Sequence, residues 1–263
     1  MTYKYTNEGI NFIESAISDP SVTEVVDTIA IGDGTTSPRE SDTSLENNLY
    51  ESNTTSANVL IDRGSGGTGE IRVTVEFTGG TEVPSGSDIT EFGLKNESGT
   101  LLYREVRDTS ITVASGEKKS VEMKIFIEDE NDESDVTITT VGLDYVADRL
   151  IGNTNDVIDV IAVGEGTGTV SDTDTQMSNE LYRSSNANSD VTIQPEATVG
   201  NIIVEISVSA GSTVDDNVPG DSNITEFGLF TDSNTMVLHE KRTAVTLEAN
   251  DTKTFKIPFN IIQ

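Results

Sequence analysis

The chain contains neither cysteine nor tryptophan. Without cysteine there is no disulfide framework, and no thiolate to serve as zinc ligand, iron–sulfur ligand or nucleophile. Histidine occurs once, as His239, so a Ser–His–Asp or Cys–His constellation has almost nothing to build on. Basic residues are scarce: 16 Lys and Arg stand against 46 Asp and Glu, a net charge of −30. Such a chain repels phosphate backbones and anionic membranes, which argues against nucleic acid as a partner. Aromatic residues make up only 5 % and do not interleave with basic patches, so no stacking platform for single strands is suggested. No apolar run approaches the roughly 18 residues needed to span a bilayer, and membrane insertion is not expected. The stretch Met1 to Ile10 has neither a basic region nor an apolar core of the kind that directs export. The expectation is a protein made and kept in the cytosol, or one that leaves by assembly or lysis.

What is present is alternation. Ile71, Val73, Val75 and Phe77 alternate with polar residues, as do Val121, Met123, Ile125 and Ile127, and Phe255, Ile257, Phe259 and Ile261. A disordered acidic tail would not carry this period of two. The reading is a folded protein with a saturated acidic surface, held apart by its own charge in dilute salt and relieved by screening in concentrated salt. Acidity with so few lysines is the pattern of proteins from salt-loving archaea and their viruses.

The chain also resembles itself. Ile31 to Tyr50 matches Val163 to Tyr182 without a gap, at an offset of 132. Gly32, Gly34, Asp42, Asn47, Leu49 and Tyr50 recur as Gly164, Gly166, Asp174, Asn179, Leu181 and Tyr182. The run Ile89 to Leu94, with Glu91 and Gly93, recurs identically as Ile224 to Leu229, with Glu226 and Gly228, at an offset of 135. Glu105 and Arg107 recur as Glu240 and Arg242, and Gly9 aligns with Gly142. A period near 130 is a domain length rather than a solenoid repeat of about 20–50 residues. The expected organisation is a first repeat domain at 1–128, an acidic linker at 129–135 and a second repeat domain at 136–263.

Each repeat is read as mainly β with some helix: an antiparallel β-sandwich-like domain of six to eight strands with two short helices near its start. Ile10, Ile13 and Ile17 form the stripe of the first helix, with Leu143, Val146 and Leu150 as counterparts. A strand follows at Val25 to Ile31. The second helix is placed near Asp42 to Glu51, on the capping-box pair Thr43 and Glu46 and the apolar pair Leu45 and Leu49.

Chemistry is hard to find. The pairs Gly32-x-Gly34 and Gly164-x-Gly166 follow strands but lack the third glycine of a dinucleotide fingerprint and the Gly-Lys-Ser/Thr of a P-loop, so they read as turn glycines. Asp172, Asp174, Asp215, Asp216 and Asp221 are candidates to gather a cation, but a solvated acidic surface is the preferred reading. His239 aligns with Arg104, so an imidazole is not required by both repeats, and His239 reads as a surface residue. In Ile89-Thr90-Glu91-Phe92-Gly93-Leu94, alternation puts Phe92 and Leu94 on one face and Glu91 on the other. The recurring charges are expected to pair within each repeat, Glu91 with Arg107 and Glu226 with Arg242. No catalytic, cofactor-binding or metal residues are assigned, and no enzyme activity is expected.

The recurring residues carry a family likeness. A glycine-led first helix at Gly9, a strand ending at Gly32 to Thr36, the run Ser41 to Leu49, and Ile89 to Leu94 together resemble tail-collar fibre and baseplate-associated proteins of tailed viruses. In the second repeat Thr169-Val170 replaces Ser37-Pro38, and Met177 replaces Leu45. With the acidity, the resemblance implies a virion structural protein of a virus of halophilic archaea, a tail fibre or baseplate component used in assembly or host attachment. Its implied partners are other copies of itself, preferably as a homotrimer, other virion proteins, and host surface glycans or glycoproteins. A capsid turret or decoration protein is the alternative, and a carbohydrate-binding receptor protein a further one. Exposed aromatics and paired acids in a groove would favour that last reading.

Overall fold

The computed structural model describes residues 2–64, 69–127, 136–195, 201–211 and 217–260. The first half opens with β1 (Thr2–Tyr5) and helix α1 (Asn7–Ser18). Thr6 caps that helix: its hydroxyl oxygen accepts the Gly9 N–H at 2.9 Å while its O–H donates to the Leu101 carbonyl. A Cβ on Gly9 would run into the backbone of Leu102, so glycine lets the first turn lie directly against a strand. Ile10, Ile13 and Ile17 are buried, as their spacing predicts.

Strands β2 (Val26–Gly32), β3 (Asn48–Asn53), β6 (Ser87–Asn96) and β7 (Leu101–Val113) join β1 in a five-stranded sheet of order β1-β7-β6-β2-β3. Strands β4 (Val59–Arg63), β5 (Glu70–Thr78) and β8 (Lys118–Phe126) form a second sheet of order β4-β5-β8. In β5, in β8 and at the residue after it the predicted alternation holds: Ile71, Val73, Val75, Phe77, Val121, Met123, Ile125 and Ile127 are all buried. The two sheets are tied by Arg107, whose Nη2 donates to the Glu122 carbonyl at 3.0 Å, and by Tyr5, whose hydroxyl donates to the Phe126 carbonyl at 3.0 Å.

The second half follows the same strand order. It contains β9 (Val136–Ile138), α2 (Thr140–Leu150), β10 (Ile158–Gly164), β11 (Glu180–Ser185), β12 (Val191–Pro195), β13 (Asn201–Gly211), β14 (Val218–Pro219), β15 (Ser222–Thr231), β16 (Met236–Leu247) and β17 (Thr252–Asn260). Its larger sheet runs β9-β16-β15-β10-β11, while β12 and β17 flank β13 and β14 adds a short parallel pair. Thr139 caps α2 through the Gly142 N–H at 3.0 Å, as Thr6 caps α1. Phe227 and Phe255 meet between its sheets with ring centroids 5.1 Å apart.

The chain divides into two compact units. One comprises Met1–Ile13, Val22–Phe126 and Ala147–Asn153; the other comprises Glu14–Ser21, Ile127–Val146 and Thr154–Gln263. Every sheet draws its strands from one half of the sequence. The acidic linker expected at 129–135 lies outside the described residues.

One expectation fails. The segment from Asp42 to Asn47 is a loop that leads into β3, and its counterpart before β11 is also a loop, so among the described residues each half has one helix and not two. The local capping signal loses to a tertiary one. Glu46 turns its carboxylate to the backbone N–H groups of Thr35 and Thr36, at 2.8 Å each, and the N–H groups of Glu46 and Asn47 are taken by the Glu91 carboxylate.

Candidate functional site

In each half the recurring polar residues gather on one face of the five-stranded sheet. Antiparallel register places Glu91 opposite Val106 and Gly93 opposite Arg104, so these four share a face, while Phe92 opposite Glu105 and Leu94 opposite Tyr103 share the other. A Cβ on Gly93 would meet Leu101 Cδ1 at 2.8 Å and Leu45 Cδ1 at 3.3 Å, so the glycine opposite Arg104 makes room for these two leucines. Arg104 Nε reaches Glu91 Oε1 at 2.7 Å, its Nη1 reaches Asp42 Oδ2 at 2.7 Å, and its Nη2 donates to the Thr36 carbonyl at 3.1 Å.

Glu91 is fully buried and its carboxylate is filled. It accepts the N–H groups of Gly34 at 3.3 Å, Glu46 at 2.7 Å and Asn47 at 3.2 Å, besides the guanidinium. A Cβ on Gly34 would lie 2.5 Å from Glu91 Oε2, and one on Gly32 2.6 Å from it. The Gly-x-Gly pair therefore brings backbone into contact with a carboxylate, and no phosphate cradle is left between them. Thr90 completes the hold by donating its hydroxyl to the Gly34 carbonyl at 2.8 Å. Asp33 sits beside it, taking the Asn47 side-chain amide. Asp42 closes a tight turn by accepting the Arg39 N–H at 2.8 Å.

The second half builds the same centre around a histidine. His239 lies between two carboxylates, Nε2 at 2.8 Å from Glu226 Oε1 and Nδ1 at 2.6 Å from Asp174 Oδ2. Glu226 accepts the N–H groups of Ser178 at 2.6 Å and Asn179 at 3.2 Å. Gly166 again abuts the glutamate, Thr225 donates to the Gly166 carbonyl at 2.8 Å, and the Asn179 amide meets Glu165 at 3.2 Å. Burial pushes the Glu226 carboxyl up, but the Ser178 and Asn179 N–H groups and the His239 ring outweigh it and hold the group below its ordinary value. At Arg104 burial opposes the charge, and the Asp42 and Glu91 carboxylates more than compensate, raising the guanidinium above its ordinary value.

Gly32, Gly34, Asp42, Glu91 and Gly93 thus converge, as do Gly164, Gly166, Asp174, Glu226 and Gly228. Arg107 and Arg242 do not join them. They project from the opposite sheet face, where Arg107 pairs with Glu105 at 2.6 Å and lies 4.5 Å over the Phe92 ring, and Arg242 pairs with Glu240 and lies 5.0 Å over Phe227. The expected pairs Glu91–Arg107 and Glu226–Arg242 are therefore replaced by Glu91–Arg104 and Glu226–His239, because each expected pair straddles the sheet. His239 is not a surface residue but is 3 % exposed. Sequence reading aligned His239 with Arg104 but, because the two differ, gave neither a place in the centre; the available signal was that both carry side-chain nitrogens at matched positions.

Among the described residues, no group of three or more His, Asp or Glu is arranged to hold a metal ion. Asp174 is engaged with His239, and Asp215 and Asp216 lie outside the described residues. No protein family matches the chain, and no curated protein or solved structure matches it at a significant level.

Proposed function

We propose that the chain is a non-enzymatic virion structural protein of a tailed virus from a halophilic archaeal host, a tail fibre or baseplate component. Its two halves arose by tandem duplication of one β-sandwich-like domain, and three chains present six similar domains around one axis. The single observation that carries this reading is the engagement of the recurring polar residues. In both halves the glutamate of the Ile-Thr-Glu-Phe-Gly-Leu run spends its oxygens on protein N–H groups and an arginine or histidine side chain, and the neighbouring threonine spends its hydroxyl on the same loop. Groups so saturated fix loops and have no capacity left for a substrate. That is the economy of an assembly scaffold, where sequence recurs for shape. A trimer of two-domain chains also meets a sixfold tail without leaving open sheet edges to pair indefinitely.

Cryo-EM of purified particles, with the chain located in the map, tests this. The expected result is three chains in pseudo-sixfold order on the tail. Fivefold order at a capsid vertex would promote the turret reading, and absence from the particle would end the virion reading altogether.

A further inference from the structure

The first unit carries a groove that the second does not reproduce, at the margin where edge strand β1 meets edge strand β8. Register sets Tyr3 opposite Glu105 and Tyr5 opposite Tyr103, so all four project from the same sheet face. Tyr3 stacks on Tyr103 with centroids 5.6 Å apart, and Tyr5 meets Tyr103 edge-on at 5.4 Å. Phe126 stands on the opposite wall, and the cavity between holds about 380 Å³. This volume falls within the range of small-ligand sites, about 300–1,000 Å³. Although most apolar side chains are buried, Tyr3 is 51 % and Phe126 41 % exposed, so aromatic surface faces water here.

The groove also contains an unspent acceptor. Glu105 is fully buried; its Oε1 takes Arg107 at 2.6 Å, its Oε2 makes no hydrogen bond of ordinary geometry among the described residues, and the carboxylate's proximity adds to the burial that pushes the Tyr103 hydroxyl up. In the second half Arg242 instead spans both oxygens of Glu240. Leaving a buried carboxylate oxygen unmade is costly unless a donor arrives from outside. The two cations in the lining are already committed, Arg107 to Glu105 and the Glu122 carbonyl, and Lys124 to Glu70 at 3.2 Å. No free positive charge waits for an anion, and a net charge of −30 would repel one.

We propose that this groove is a binding site for a neutral saccharide. A pyranose ring offers an apolar, slightly positive C–H face to the negative face of an aromatic ring, and hydroxyl donors at its rim. Tyr3 and Phe126 supply the walls, and Glu105 Oε2 accepts a ring hydroxyl. The counterpart register positions are Val136 for Tyr3, Ile138 for Tyr5, Leu238 for Tyr103 and Asn260 for Phe126. None of these counterparts is aromatic, so the set belongs to the first unit. This inference goes beyond the assembly role and does not depend on where in a particle the chain sits.

The test is titration of the full chain with chitotriose, maltotriose and mannotriose in molar salt, followed by calorimetry and saturation-transfer NMR. Saturable binding of at least one, with a dissociation constant of about 1 mM or tighter, is expected. Tyr3→Ala and Phe126→Ala should each weaken it about tenfold. Leu60→Ala, another exposed apolar residue that lies outside the groove, should leave it unchanged. Glu105→Gln should weaken binding further, with circular dichroism confirming that it folds. Absence of saturable binding to all three sugars, or binding indifferent to Tyr3 and Phe126, would overturn the proposal. So would sedimentation showing that Tyr3→Ala dissociates a self-associated species, since the groove would then be occupied by a second copy of the chain.

Discussion

The two buried centres solve one problem with different side chains. In the first half a single arginine does everything: Arg104 meets Glu91, meets Asp42 and reaches the loop carbonyl of Thr36. In the second half these tasks are divided. His239 takes both carboxylates, and Lys241 donates to the carbonyls of Thr167 and Gly168, the latter standing where Thr36 stands in the first half. Val106 occupies the first-half position of Lys241. What is common to the halves is therefore a pattern of donors around a buried glutamate and a loop, and several residue sets satisfy it. The two centres differ in redundancy. Glu91 keeps three backbone N–H donors besides its cation and Glu226 keeps two.

The largest effect should come from removing the arginine. Arg104→Ala leaves Glu91 and Asp42 facing a void in a site where the Arg104 side chain is 4 % and that of Glu91 0 % exposed. A loss of about 3–5 kcal/mol in urea unfolding is expected. His239→Ala should cost less, about 1–3 kcal/mol, since it removes one side chain's hydrogen bonds and Lys241 still holds the loop. Equal losses would show that the division of labour has no energetic meaning. Salt separates these buried pairs from the surface. Between about 0.1 M and 3 M salt the melting temperature of every variant should rise, because screening contracts to roughly 3 Å near 1 M. The gap between the parent chain and Arg104→Ala should persist, because the pair is shielded from ions. A flat profile for the parent would remove the halophile reading.

Next in size is the glycine contact. Gly34→Ala drives a methyl to 2.5 Å from Glu91 Oε2, and Gly166→Ala does the same to Glu226, each expected to cost about 1–3 kcal/mol. Gly99→Ala serves as a control for strain without crowding, since no atom lies within 4 Å of its Cβ position but its φ is +86°. If the control costs as much as the other two, backbone conformation rather than the carboxylate accounts for the glycines.

Much of this was legible in sequence. The faces of the Ile89 to Leu94 strand follow from a period of two, and the buried stripe of α1 from a period of 3.6, since both depend only on neighbours in the chain. The capping of α1 by Thr6 was readable from Thr-x-x-Gly but overshadowed by the glycine itself. The loop at Asp42 to Asn47 was not readable, because its N–H groups are claimed by a carboxylate 44 residues or more away in sequence. Arg104 and His239 were missed because matching by identity discards a position where arginine faces histidine, though a side-chain nitrogen meets the buried glutamate in both halves. The aromatic groove was missed because its members come from three strands and have no counterparts to draw attention to them.

Acid should expose the second centre. Glu226 is held below its ordinary value in the folded chain. Its contribution is then fully present above the unfolded pKa of about 4.3 and is lost as pH falls through the lower folded value. Glu226→Gln should lose that part of the pH dependence, so stability measured between about pH 5 and pH 3 falls less steeply than for the parent. An unchanged slope would place the acid sensitivity elsewhere on the carboxylate-rich surface.

The smallest effect is also the most specific test of how the two centres are related. If His239 and Lys241 jointly do the work of one arginine, changing both to the first-half residues should give a working centre, while changing either alone should not. His239→Arg by itself brings a guanidinium toward Asp174, Glu226 and the Gly168 carbonyl, but that carbonyl is already held by the Lys241 ammonium at 2.7 Å. Two cations would then share one acceptor, and like charges would crowd. Lys241→Val by itself leaves the Thr167 and Gly168 carbonyls without their donor at a partly exposed position, a loss of about 1 kcal/mol or less. In the double variant the arginine has both carboxylates and the freed carbonyl, as Arg104 has with Val106 beside it. A double-mutant cycle in urea should therefore give a favourable coupling of about 0.5–3 kcal/mol, the double variant being more stable than the sum of the singles allows. Strict additivity would mean that the two side chains act independently and that the likeness to Arg104 is one of position only.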